Sequence, residues 1–194
     1  MEIRVLVEDE LQYASGLSRY VFDTCIRNRM EFTQTIPFVE NYISESNLKE
    51  MYRENRLVVW GAFEREQMVG VAGMQTDGLI TLLYVLPQYT RRNCGMHLLT
   101  VMRGYAQDVL KLNKVIVNAT PAWTSTYFKK NGFVLVNAKQ DMHVPYITME
   151  ALSNDREFQK KEKISWKIVV GAVFACISFA TIASVWFMVY YLLG

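Results

Sequence analysis

Apolar residues recur along the first 150 positions with a period that switches between two and three to four, and the switches mark out elements. "IRVLV", residues 3–7, opens the chain as a strand. Over 8–28, Leu11, Ala14, Leu17, Val21, Phe22, Cys25 and Ile26 fall near helical spacing. "NLKEMYREN" reads as the end of a second helix that follows the Pro37 region. Three extended runs come next, "RLVVWGAFE", "QMVGVAGMQ" and "LITLLYVLP". A short charged turn separates the first two, and Thr76-Asp77-Gly78 the second and third, as in an antiparallel meander. A long helix then places Leu98, Val101, Met102, Tyr105, Val109 and Leu112 on one face. "KVIVNAT" reads as a buried strand, and "AWTSTYFKKN" as a short helix stopped by Gly132. "FVLV" and "VPYITMEAL" close the series. The order β-α-α-β-β-β-α-β-α-β-β predicts an α/β domain over residues 1–153, with a mixed sheet and helices on both faces. A chain of that length can bury a full core unaided.

The pattern changes character after that domain. From Ile168 to Gly194 no residue is charged. A helix over 168–193 would cover roughly 40 Å, more than the roughly 30 Å of bilayer hydrocarbon. Soluble helices rarely stay apolar on every face for so long. Trp166 stands at one edge, and Tyr190 and Tyr191 near the other, where interfacial aromatics belong. The segment 154–167 reads as a basic juxtamembrane linker, with Arg156, Lys160, Lys161, Lys163 and Lys167 outnumbering its acids. The positive-inside tendency puts this flank in the cytoplasm. The expectation is a single-pass, tail-anchored protein whose domain hangs on the cytoplasmic side of a lipid bilayer. Gly171 and Ala175 have the spacing that packs two spans together, which leaves a homodimer open.

Composition adds exclusions. The net charge is +2, and basic and acidic side chains are equal in number before Asp155, so the domain offers no general field for nucleic acid. Cys25, Cys94 and Cys176 lack metal or redox spacing and read as free thiols, with no metal expected. The chain begins "MEIRVLVEDE", with acids where the first part of a signal peptide needs bases.

The chemistry is concentrated in "LYVLPQYTRRNCGMHLLTVM", residues 83–102. A strand runs to Leu86, Pro87 ends it, and a helix begins near Gly95. The stretch from Thr90 to Gly95 therefore presents backbone N–H groups at a helix N-terminus, a setting that favours phosphate through exposed donors and the helix dipole. Arg91 and Arg92 add cationic donors suited to the same ligand. This strand, V-x-P (Val85-Leu86-Pro87), loop (Thr90 to Gly95) and helix resemble the signature of the GNAT superfamily of acetyl-CoA-dependent N-acetyltransferases. A second mark of that family is a short helix ending in F/Y-x-K-x-G-F. It is similar to Phe128-Lys129-Lys130-Asn131-Gly132-Phe133, and it lies one helix and one strand further on, in the family's order.

The resemblance, which covers about residues 1–150, implies a GNAT-like fold and acetyl-CoA as co-substrate. The backbones of Leu83, Tyr84 and Val85 would line the pantetheine arm, at a splay or bulge in the sheet. Thr90, Arg91, Arg92, Asn93, Cys94, Gly95 and Met96 would hold the pyrophosphate. Phe128 or Lys130 would sit near the cofactor's distal half, and Asn118 would hydrogen-bond cofactor or acceptor. Three departures bear on function. Thr90 replaces the usual Gln or Arg. Asn93 replaces a glycine, and asparagine is the best substitute for a left-handed conformation. Phe128 stands where many members carry a tyrosine acid; Tyr127 is adjacent, but neighbouring helix residues do not share a face. The glutamate base of the histone-acetylating branch falls at Leu79. Substitute acids and bases are therefore sought at Asp77, Tyr89, His143 and Tyr146, with Glu150 as a further carboxylate and catalysis unassigned.

The expected activity is transfer of an acetyl group from acetyl-CoA to a primary amine, on a small molecule or a protein, at the cytoplasmic face of a membrane. The alternative is a catalytically degenerate domain that binds acyl-CoA as a sensor or scaffold, motivated by Leu79, Thr90, Asn93 and Phe128.

Overall fold

A computed structural model describes residues 1–30, 32–140 and 145–154. His143, the linker from Asp155 onward and the apolar run to Gly194 lie outside the described residues. Among the described residues no helix is long and apolar enough to cross a membrane. Residues 1–154 form one compact unit.

The elements are β1 (Glu2–Val5), α1 (Leu11–Val21), α2 (Ile36–Tyr42), α3 (Glu45–Arg53), β2 (Leu57–Glu64), β3 (Gln67–Gln75), β4 (Leu79–Val85), α4 (Cys94–Asp108), β5 (Lys114–Ala119), α5 (Ser125–Lys130), β6 (Val134–Gln140) and β7 (Pro145–Leu152). The second expected helix, between the Pro37 region and β2, is two. Ser44 breaks it: its N–H bonds to Asn41 O at 3.2 Å, and its hydroxyl accepts from Asn47 N at 3.3 Å, capping the new helix. The seven strands form one sheet in the order β1-β2-β3-β4-β5-β7-β6. All neighbours are antiparallel except β4 and β5.

Two apolar cores sandwich the sheet. Leu98, Leu99, Met102 and Ala106 of α4 pack with Phe128 of α5 against Trp60, Ala72, Ile80 and Val117. Leu11, Ala14 and Leu17 of α1, with Leu48 and Met51 of α3, cover Val59, Val71 and Leu82 on the opposite side. Full burial of such side chains is worth about 1.5–3 kcal/mol each. Arg103 is buried in α4 among these apolar groups, only 3% exposed. Its Nε donates to Leu152 O at 3.0 Å and its Nη1 to Asn131 O at 3.3 Å, so one guanidinium ties the end of β7 and the end of α5 to α4.

One irregularity in β4 organises the rest. Gly73 faces Leu82 but Met74 faces Ile80, so Thr81 is an extra residue, a β-bulge. The bulge turns Ile80 toward the α4 core and Leu82 toward the α1 core. Strands β4 and β5 pair only at Leu79↔Ile116 and Ile80↔Val117. Beyond those pairs no ladder joins them, leaving Leu82–Val85 and Asn118–Ala119 on opposite sides of a gap at the C-terminal ends of both strands.

Candidate active site

The cofactor cradle follows β4 directly. Pro87–Tyr89 make one 3₁₀ turn. Thr90 closes it, with its N–H and its hydroxyl both donating to Pro87 O, at 3.2 and 2.7 Å. Arg91 (φ +65°) and Asn93 (φ +59°) are left-handed, and α4 begins at Cys94. Asparagine thus takes the backbone conformation expected of it. The Arg92 N–H bonds back to Tyr89 O at 3.4 Å. The N–H groups of Arg91, Asn93, Cys94, Gly95 and Met96 have no acceptor among the described residues, and no side chain caps the helix. Five open donors at the positive end of a fifteen-residue helix suit a diphosphate. The N–H groups of Thr90 and Arg92 are consumed in shaping the turn.

The two arginines part company. Arg92 lies over the Tyr89 ring, 5.2 Å from its centroid, and pairs with Glu64 at 3.6 Å. Arg91 has no partner among the described residues. The Cys94 side chain is buried beneath the cradle, and burial pushes its thiol up to about 11, so it is packing and not a nucleophile. Met96, partly buried, contributes its N–H at the end of the row.

Gly95 explains a residue that the sequence reading set aside. A Cβ there would stand 2.5 Å from Tyr127 Oη and 3.8 Å from Val85 Cγ2. Tyr127, on α5, therefore delivers its hydroxyl to the head of α4, next to β4. Burial raises its pKa above the usual phenol value, keeping it a neutral donor. Phe128 is buried in the core and meets both neighbours edge-on, Phe133 with centroids 5.4 Å apart and Tyr127 with centroids 5.6 Å apart. Phe128 belongs to the apolar cluster that also holds Cys94 and Leu98 at the head of α4. The signal for Tyr127 was the small residue at 95, which has meaning only once α4 and α5 are known to touch. Lys130 is exposed at the end of α5.

Across the gap, Leu83 and Val85 pack toward the α4 core and Tyr84 toward the α1 core. Burial, and secondarily Tyr42, push the Tyr84 phenol above its ordinary range. Asn118 stands at the open end of β5, its Oδ1 accepting from Thr148 Oγ1 at 3.0 Å. Tyr146 lies one residue beyond the Ala119↔Ile147 pair, at that same end. Two proposed acids stand elsewhere. Asp77 is at the closed end of β4, its Oδ1 accepting from Leu79 N at 3.0 Å as an Asx turn. Glu150, opposite Ile116, pairs with Lys114 Nζ at 2.7 Å. Tyr89 underlies Arg92 on the outer side of the cradle. At the open end, in the loop after β5, Trp123 is stacked with Arg29, whose guanidinium carbon lies 4.2 Å from the ring centroid.

A seven-stranded mixed sheet with a bulged β4, a parting of β4 from β5, and an anion cradle at the next helix defines a class of acyl-CoA-handling domain. The acetyltransferase (GNAT) domain model matches residues 28–153. The chain belongs to the GNAT family of acetyltransferases, whose co-substrate is acetyl-CoA. No curated protein matches the sequence. Solved structures with the same fold include a GCN5-related N-acetyltransferase from Rhodopseudomonas palustris, at 16% identity over 78% of this chain and 94% of that one, TM-score 0.65. The PaiA N-acetyltransferase from Thermoplasma acidophilum, in complex with coenzyme A, is 17% identical over 78% and 99%, TM-score 0.60. A variant of the spermidine N-acetyltransferase SpeG from Vibrio cholerae is 15% identical over 79% and 95%, TM-score 0.56. At such identities the likeness concerns the fold.

Proposed function

We propose that the protein transfers an acetyl group from acetyl-CoA to a primary amine presented at the cytoplasmic face of a membrane to which its C-terminal segment tethers it. The uncommitted N–H groups of Arg91, Asn93, Cys94, Gly95 and Met96, following a strand that parts from its neighbour, carry the transferase reading. When bound, acetyl-CoA supplies the thioester from which the acetyl group leaves. The chain's own residues do the positioning. The cradle N–H groups and Arg91 hold the phosphates, and the Tyr127 hydroxyl adds a neutral donor beside them. The main chain of Leu83, Tyr84 and Val85, unpaired on its β5 side, offers donors and acceptors to an extended amide-bearing arm. Asn118 and Tyr146 flank the opening through which an amine reaches the gap, and alignment of amine with carbonyl is the main catalytic effect. The carboxylates of Asp23 and Glu40, in the elements that flank the Arg29 connection, are paired with Arg27, so the amine's proton passes to solvent or to a phenol at the opening.

The charge-free run from Ile168 to Gly194 and its basic flank support the tether. A tether raises the effective concentration of the domain toward acceptors on the same surface. The apolar side chains at Leu79 and Phe128, neither of which can carry a proton, favour a second reading, an acyl-CoA-binding sensor or scaffold that has lost turnover. Thiol release from acetyl-CoA by the full-length chain, with a mixed amine panel, separates the two. Binding without amine-stimulated release would leave the sensor. Arg91→Ala is expected to weaken acetyl-CoA binding about tenfold and to flatten its salt dependence, with Arg92→Ala having the smaller effect because Glu64 shares that side chain. Partition of the full chain with membranes after alkaline washing tests the anchor.

A further inference from the structure

We propose that the acceptor carries a carboxylate, or a comparable planar anion, close to its amino group, and that Arg29 binds it from the face of Trp123. The inference rests on the transferase reading above and adds the chemical class of the acceptor. It starts from where the two residues sit. The gap between β4 and β5 opens toward the end at which β5 gives way to its loop, and Trp123 is on that loop. Arg29 ends the short 3₁₀ turn Arg27–Arg29 in the connection from α1 to α2, the helices of the opposite flank. The stack thus joins the two walls at the open end.

The stack also fixes what Arg29 can do. A guanidinium lying on an indole has its face covered, but its five N–H donors lie in the plane and point outward along the edges. None of them meets an acceptor among the described residues. Arg27, two residues earlier, is the contrast. Its Nε and Nη2 bond to Asp23 at 2.9 and 2.7 Å, and Nη2 also bonds to Glu40. Asp23 and Glu40 are therefore spent on Arg27, and among the described residues no carboxylate pairs with Arg29. Guanidinium edges match carboxylate oxygens in pairs, and stacking lowers the ordering cost of that match. A polyamine entering here would bring a second ammonium against Arg29 and would meet Asp23 and Glu40 already paired with Arg27.

Steady-state thiol release by the full-length chain, using matched pairs that differ by one carboxylate, tests the proposal: β-alanine against propylamine, glycine against methylamine, with spermidine alongside. The carboxylated member of each pair should lead by about tenfold or more in kcat/KM, the scale of one charge-assisted pair, and spermidine should be poorest. Arg29→Gln should erase that lead while leaving the acetyl-CoA dissociation constant and the thermal midpoint unchanged, and Arg29→Lys should keep part of it. Equal rates within the pairs, a lead that survives Arg29→Gln, or a preference for spermidine would overturn the proposal. A chain in which no amine speeds thiol release would overturn the transferase reading itself, and this one with it.

Discussion

Asn93 is the position where the cradle can be broken without touching ligand-facing chemistry. Its φ of +59° holds the chain in the left-handed region for one residue, between Arg92 and the first turn of α4. Its carbonyl accepts from His97 N at 2.9 Å, so the turn is part of the helix ladder. An L-residue other than glycine, asparagine or aspartate pays about 1–2 kcal/mol for that conformation, and a β-branched residue is an outlier there. Asn93→Val should therefore shift the turn, scatter the N–H row, and cost at least about 1–2 kcal/mol. If the whole cost falls on the liganded state, the acetyl-CoA dissociation constant rises about 5- to 30-fold, at 1.4 kcal/mol per decade. If it falls on folding, the thermal midpoint drops by about 2–8 °C. Asn93→Gly relieves the steric cost and adds about 0.5–1 kcal/mol of backbone entropy, which nearly cancel. It should bind as the parent does. Calorimetric titration with acetyl-CoA and a thermal melt of each variant decide the matter. The reasoning is refuted if Asn93→Val binds and melts like the parent. It is refuted equally if Asn93→Gly weakens binding tenfold, because the asparagine side chain, and not the backbone angle, would then be what matters.

Gly95→Ala places a methyl 2.5 Å from Tyr127 Oη and should weaken acetyl-CoA binding; adding Tyr127→Phe removes the clashing atom, so the double variant should bind better than Gly95→Ala alone, and additive losses would show that the two residues do not meet. Arg103→Met leaves the carbonyls of Leu152 and Asn131 without this donor and should cost about 2–4 kcal/mol in chemical denaturation; a loss under about 1 kcal/mol would mean water replaces the guanidinium. At the far edge of the sheet, two hydrogen bonds from Arg4 hold the Glu10 carboxyl at about 2, well below its ordinary value. Its stabilising contribution is then complete above the unfolded-state value and is lost as pH falls toward the folded one. The stability gap between the parent and Glu10→Gln should persist at neutral pH and close between roughly pH 4.5 and 2, and a gap that stays constant to pH 2 would refute the pairing.

The meander was legible because its runs are apolar, β-rich and separated by turn residues. The α4 stripe was legible because Leu98, Met102 and Tyr105 keep helical spacing. What β4 does was not readable from its own residues. "LITLLYV" shows no alternation, and only the register against β3 reveals that Thr81 is extra and that Ile80 and Leu82 face opposite cores. The bulge was expected through family likeness and not through pattern. Asn93 could be read correctly because a left-handed requirement leaves a residue-type trace. Tyr127 could not, since its role depends on Gly95, 32 positions earlier in the chain, which it meets only after folding. Asp77 had a mundane local explanation in its Thr-Asp-Gly turn, and the structure places it there. Ser44, a cap inside what read as one helix, was hidden because the segment before it lacks a strong apolar stripe.

Where the described chain ends, its last residues are riveted in place. The Leu152 carbonyl is gripped by Arg103, the Ser153 N–H bonds to Asn113 O at 2.9 Å, and the Ser153 hydroxyl bonds to Leu112 O at 2.6 Å. Tension applied to the polypeptide past Asn154 is borne first by these bonds, which share the load across α4 and the loop that follows it. The ladder between β6 and β7 is thereby shielded from being unzipped one pair at a time. A tug on this end is met by the body of the domain rather than by the rim of its sheet.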